Sequence, residues 1–140
     1  MSSEEVTGRF VLLVVLAAAI IWFAGLGYRD LIEPDEGRYA EIPREMVASG
    51  DWITPRLNDY KYFYKPVLQY WATATAFTLF GESSATARLW PALLGFLGAL
   101  WGGFVAWQLY GATAGFYAGL ITLSALLYVV DGHYLVLDMS

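Results

Sequence analysis

The chain has 140 residues, of which 58% are hydrophobic and 15% charged, with a mean hydropathy of +0.49. A soluble domain averages about 25% charged residues, so the shortfall points to lipid rather than water as solvent. A formal net charge of −5 argues against nucleic acid as a partner, and the absence of cysteine excludes disulfides and thiolate metal sites.

The charge is also unevenly distributed. None lies between Phe10 and Tyr28 or between Leu89 and Val130, whereas Arg29 to Pro66 holds six of the eight Lys/Arg and eight of the thirteen Asp/Glu. Any chemistry is therefore expected in this loop, where local Arg and Lys could serve an anionic ligand despite the negative total.

Phe10 to Tyr28 is an uncharged run of 19 residues; as a helix it reaches about 28 Å, enough for a bilayer core. A cleaved signal peptide is the competing reading. The stretch exceeds the usual apolar length, and Glu4 and Glu5 spoil a basic n-region, so it reads as an uncleaved anchor.

The loop opens with Glu33-Pro34-Asp35-Glu36-Gly37-Arg38-Tyr39-Ala40-Glu41, which predicts a helix start: Pro34 suits the first helical position and acidic residues there complement the dipole. Asp35 and Glu36 are thus readable as helix caps. Asp35, Arg38 and Tyr39 fall at i, i+3 and i+4, placing a carboxylate, a guanidinium and a phenol on one face. Pro43 is expected to kink or end the helix, and Ser49-Gly50 to stop it before Asp51-Trp52. Asn58-Asp59-Tyr60-Lys61-Tyr62-Phe63-Tyr64-Lys65-Pro66 then alternates lysine with aromatics. Ordinary anchoring at a membrane edge accounts for that composition; a cationic cradle for a lipid-linked phosphate is the functional alternative.

Val67 to Phe80 is too short to span comfortably, and Gln69, Thr73, Thr75 and Thr78 soften it, so it is expected to lie at the membrane surface. Leu89 to Tyr110 and Ala112 to Val130 are the second and third spans, joined by the turn at Tyr110-Gly111 as a helical hairpin. Gly95, Gly98, Gly102 and Gly103 predict close helix packing. With three spans, the loop at 29–66 and the segment from Asp131 to Ser140 share one side of the membrane. Asp138 follows an apolar run and reads as a functional carboxylate or as the N-cap of a next helix. His133 is a lone interfacial histidine with no expected metal role. The positive-inside rule, applied literally, places the loop in the cytoplasm.

The run PDEGRYAEIPREMVASGDWITPRLNDYKYFYKPVLQYW, residues 34–71, resembles the first extracytoplasmic loop of the lipid A aminoarabinose transferases. These belong to the GT-C superfamily of polyprenyl-phosphate-sugar-dependent glycosyltransferases, which includes the protein O-mannosyltransferases. The resemblance continues to Leu137-Asp138-Met139. It implies an all-α integral membrane fold: the N-terminal part of a GT-C fold, with three transmembrane helices (about 10–28, 89–110 and 112–130), a catalytic-type loop at 29–66 and interfacial juxtamembrane helices, one at 67–80. The loop would face the periplasm of the bacterial inner membrane, its cations serving as phosphate ligands rather than topological signals.

The resemblance also implies residue roles. Asp35 and Asp138 match catalytic-type carboxylates; Arg38, Tyr39, Tyr62 and Lys65 match positions lining the donor phosphate site; Glu36 is a further candidate. The donor would be an undecaprenyl-phosphate sugar and the acceptor lipid A, a glycan or a protein. Asp35 would be a base toward a hydroxyl acceptor, or an orienting group if the acceptor is an ionised phosphate. No cofactor is implied. Relatives commonly carry an acidic residue where Tyr64 stands, so no metal is expected. The family runs to several hundred residues, so these 140 read as an N-terminal portion, inactive alone. A small non-enzymatic membrane protein, such as a transporter or assembly piece, is the reading of a different class.

Overall fold

A computed structural model describes residues 3–136, with side chains from Gly8 onward. The elements run α1 (Ser3–Ala24), α2 (Asp35–Ser49), β1 (Arg56–Leu57), β2 (Tyr60–Lys61), α3 (Leu68–Phe80), α4 (Ser84–Tyr110), α5 (Ala112–Ser124) and α6 (Leu126–Gly132). Among the described residues one helix, α4, is by itself long and apolar enough to cross a bilayer, and α5 and α6 qualify only as a pair bent by 65°.

α1 stops at Ala24 rather than Tyr28 because the chain turns through Gly25 and Gly27, with Leu26 N–H bonded to the Phe23 carbonyl and Tyr28 N–H to the Gly25 carbonyl. The turn aims backbone carbonyls at α4. That helix begins at Ser84, five residues before the uncharged stretch, and runs through Arg88. Ser83 and Thr86 cap it reciprocally, each side chain accepting the other's backbone N–H at 3.1 and 2.9 Å. A charge therefore does not bound this helix; its neutralisation elsewhere in the fold lets the helix pass through.

α4 and α5 form the expected hairpin about Gly111. A side-chain carbon at Gly115 would come within 2.7 Å of the Gly103 carbonyl, and one at Gly98 within 2.7 Å of the Tyr128 hydroxyl, so these glycines are contact points. Gly102 faces nothing within 4 Å and plays no such part. The apolar run from 112 to 130 is not one continuous helix: Ala125 adopts extended backbone (φ −66°, ψ 122°). Long-range contacts hold the second half at its angle. Tyr128 donates to the Gly95 carbonyl at 2.6 Å, and Gly132 lies against Trp22, whose Nε1 donates to the Ala92 carbonyl at 2.8 Å.

The loop departs from an all-helical reading at one place. Arg56–Leu57 and Tyr60–Lys61 pair antiparallel, with Asn58 and Asp59 both left-handed (φ 52° and 67°) in the two-residue turn. Asn and Asp tolerate that conformation better than other non-glycine residues, and it matches the twist of a tight hairpin. Pro43 does not end α2 either: the helix continues through it to Ser49 and stops at Gly50 (φ 73°), whose N–H reaches the Met46 carbonyl. Pro43 is fully buried, so packing compensates for the missing N–H.

Two cores result. Trp22, Leu26, Ala92 and Phe96 join α1 to α4. Tyr39, Ile42, Met46, Tyr70, Phe77, Ala87 and Leu135 join α2, α3, the start of α4 and the segment after α6. The second core fixes the loop and the chain's last described residues to one end of the helices.

Candidate functional site

Glu36 is the hub of this end. Its carboxylate is fully buried and accepts from Arg88 Nε (2.8 Å) and Nη2 (2.9 Å), Arg29 Nη1 (2.6 Å), and the backbone N–H groups of Ile32 (2.8 Å) and Leu135 (2.9 Å). Arg88, 1% exposed, spends its remaining donors on the carbonyls of Leu26, Arg29 and Asp30 at 2.8–2.9 Å. All five N–H groups of that guanidinium are thus used. Burial pushes the Glu36 carboxyl upward, but the hydrogen bonds from Arg88, Ile32, Leu135 and Arg29 outweigh it and hold the pKa at about 2, against an ordinary 4.5. Glu36 is therefore neither a simple helix cap nor open to a ligand. Arg88 escaped the sequence reading. Its signal was available: it is the sole Lys/Arg after Lys65, beside a long apolar run.

This hub also brings the start of the loop and the segment after α6 together. Arg29 Nη2 donates to the His133 carbonyl at 3.2 Å, and its guanidinium lies 5.5 Å from the Tyr134 ring centroid. Residues 29–36 and 133–135 thus meet at one end of the helices, while the one long apolar helix and one bent pair among the described residues do not by themselves establish three spans. Asp138 lies outside the described residues, three positions beyond Leu135. The His133 imidazole is not at a ligand site; its Nδ1 and Nε2 each lie 2.7 Å from a backbone carbonyl oxygen, of Val129 and Trp22 respectively.

Asp35, next to the hub, is half-exposed and pairs with Arg38 at 3.5 Å. Arg38 also meets the Tyr62 phenol, which raises the guanidinium pKa above its ordinary value, with Asp35 and Tyr39 adding to the effect. Asp35, Arg38 and Tyr62 are thus brought together. Tyr39 turns inward from that face: it is 7% exposed and stacks on Tyr70 (centroids 6.4 Å, 25° between planes). Tyr64 is exposed and tilts against Tyr62 at 5.7 Å. Lys65 is exposed and has no ion pair among the described residues. A cleft of about 390 Å³ opens beside Arg38, walled by Glu33, Gly37, Glu41 and Asn58.

Local bonds set the position of Tyr62. The Asp51 carboxylate accepts from the Ile53 and Thr54 N–H groups at 3.1 and 3.0 Å, turning the chain after α2. Glu45 on α2 accepts from the N–H groups of Asn58 and Asp59, clamping the hairpin tip to the helix. Tyr62 N–H bonds the Pro55 carbonyl at 2.8 Å, and Trp71 Nε1 reaches the Trp52 carbonyl at 2.6 Å. The site is therefore a guanidinium, a phenol and one half-exposed carboxylate, beside a buried cluster of one carboxylate and two guanidinium groups, with the exposed Lys65 three residues beyond Tyr62 in the chain. Such a set suits an anion with a bulky apolar or sugar substituent.

Apolar helices carrying this loop at one end define a helical membrane-protein segment with an anion-suited face. The family model for dolichyl-phosphate-mannose-protein mannosyltransferase matches residues 8–140, and the chain belongs to that family. The GT-C resemblance read from the loop motifs is thus borne out. Among curated proteins, an undecaprenyl phosphate-alpha-4-amino-4-deoxy-L-arabinose arabinosyl transferase from Enterobacter sp. (strain 638) is 35% identical over 133 residues, covering 94% of this chain and 24% of that protein. Among solved structures, ArnT from Cupriavidus metallidurans in the apo state superposes with a TM-score of 0.88 at 46% identity, over 96% of this chain and 25% of that one. The same protein bound to undecaprenyl phosphate gives 0.83 at 43% identity, over 94% and 24%. The chain spans about a quarter of the length of these relatives.

Proposed function

We propose that this chain forms the donor-phosphate side of a membrane glycosyltransferase that moves a sugar from a polyprenyl-phosphate donor to a lipid A-type or other extracytoplasmic acceptor. The observation that carries this is the grouping of Asp35, Arg38 and Tyr62, with the exposed Lys65 three residues beyond Tyr62, in a chain that superposes on a relative solved with undecaprenyl phosphate. In this reading α1, α4 and the bent α5–α6 pair each cross the membrane, α3 lies at its surface, and the loop at 29–66 faces the periplasm. The contact between Glu36 and Leu135 supports the odd number of crossings.

The acceptor oxygen attacks the anomeric carbon, the bond from that carbon to the phosphate oxygen breaks, and the electron pair leaves on the phosphate; a hydroxyl acceptor gives its proton to Asp35, whereas an ionised phosphate acceptor has none to give. Arg38 and Lys65 stabilise the charge that builds there, in a site of low dielectric. Tyr62 borders the phosphate, Tyr39 braces the site from its buried side by stacking on Tyr70, and the ion pair with Arg38 fixes Asp35 beside the reacting centre. Asp138, by the resemblance, supplies a second carboxylate.

In a transferase carrying this segment, Asp35→Asn and Lys65→Ala should each lower sugar transfer about 100-fold or more. Ordinary turnover in both variants would rule the reading out. Cysteine reporters at Asp59 and Asp131 should be labelled from the periplasmic side together; labelling from opposite sides would overturn the topology.

A further inference from the structure

Tyr70, in the first turn of α3, is fully buried, yet its hydroxyl has no hydrogen-bond partner among the described residues. A buried hydroxyl without a partner destabilises a fold, whereas phenylalanine would fill the same space without that penalty. Each such group calls for an explanation, and use in another state of the protein is one. The surroundings of this one indicate the use. The ring stacks on Tyr39, and the ionisable groups acting on the phenol are Tyr62, Tyr39 and Arg38. Burial, then Tyr62 and Tyr39, push its pKa above the ordinary value, while Arg38 opposes them, so the group stays a protonated donor at neutral pH. Arg38 and Tyr62 are the partly exposed members of this quartet; Tyr39 and Tyr70 are the buried ones.

We propose that Tyr70 is a further residue of the donor site, its hydroxyl donating a hydrogen bond to a phosphate oxygen of the polyprenyl-phosphate ligand. This rests on the reading of the loop as a donor-phosphate site. A phosphate that engages Arg38 draws the guanidinium away from the Tyr62 phenol and enters the group of side chains that act on the Tyr70 phenol, where this hydroxyl is the donor still unused. The arrangement keeps one hydrogen bond in reserve for the bound state, so that binding gains what the free protein forgoes.

The test uses the chain in nanodiscs, with undecaprenyl phosphate as probe and phosphatidic acid as the control lipid phosphate. Tyr70→Phe should weaken undecaprenyl-phosphate binding about tenfold, the size of a hydrogen bond to a charged group. Its melting temperature without ligand should be equal to or above that of the wild type. Wild-type affinity in Tyr70→Phe, alongside weakened binding in Lys65→Ala, would overturn the role of Tyr70 alone. No binding by the wild-type chain, or undiminished binding by Lys65→Ala, would overturn the reading of the loop itself. A lower melting temperature for Tyr70→Phe would show a structural partner for the hydroxyl and overturn the proposal, as would an equal loss of affinity for phosphatidic acid.

Discussion

Glu36 and Arg88 stand 52 positions apart and meet through two hydrogen bonds, of 2.8 and 2.9 Å, with both side chains essentially inaccessible to solvent. One partner opens α2 beside Asp35; the other lies in the second turn of the longest apolar helix. The pair therefore ties the loop to the membrane-type framework. Because the same carboxylate accepts from Leu135, it also holds the segment that follows α6.

Breaking this pair leaves a buried charge without its partner. Glu36→Met or Arg88→Met alone should destabilise the chain by about 3–5 kcal/mol, while the double replacement by methionine should lose markedly less than the sum. Unfolding followed by circular dichroism in detergent measures both. Additive losses would show that the two side chains do not depend on one another.

The same carboxylate sets an acid limit. Its folded pKa of about 2 lies below its ordinary 4.5, so its contribution is fully present above pH 4.5 and is lost as pH falls through that value toward 2. Melting temperature should therefore drop across this window in the wild type. Glu36→Gln, already lowered at neutral pH, should show a shallower fall over the same range. Parallel curves would mean that other carboxylates carry the acid sensitivity.

Close approach of α4 and α5 depends on particular glycines. Gly115→Val forces a side chain against the Gly103 carbonyl and should cost about 1–3 kcal/mol, whereas Gly102→Ala, facing open space, should be neutral. Melting of the two variants in one detergent decides the matter; equal effects would place the hairpin contact elsewhere.

The clamp between Glu45 and the hairpin tip positions Tyr62 through a short connection. Glu45→Ala should lower stability by only about 1 kcal/mol, yet weaken polyprenyl-phosphate binding by loosening Tyr62. Titration of undecaprenyl phosphate into nanodisc-held protein checks this. Unchanged affinity would show that the hairpin does not set the phosphate face.

The legible features were the local ones. The uncharged run after Phe10, the hairpin at Gly111 and the stop at Gly50 each depend on residues close in sequence. The motif-rich stretch from Pro34 to Trp71 carried the family. The hub was not legible, because Glu36 finds Arg88 and Leu135 only across 52 and 99 positions. The break at Ala125 arises likewise from distant contacts with Gly95 and Trp22, which apolarity alone cannot reveal. Pro43 misleads for a related reason, since its burial in the second core offsets a local helix breaker. The Asn58-Asp59 turn was available in the residue types, but the alternation of lysine and aromatics around it reads first as membrane anchoring.

The central claim is that the loop's cations hold a lipid-linked phosphate. Phosphorus-31 NMR of undecaprenyl phosphate in nanodiscs containing the chain addresses it directly. The account predicts a saturable shift of the phosphate resonance with the wild type, much reduced by Arg38→Ala and by Lys65→Ala and retained by Lys61→Ala. A resonance indifferent to the chain, or shifted equally by all four proteins, would contradict it.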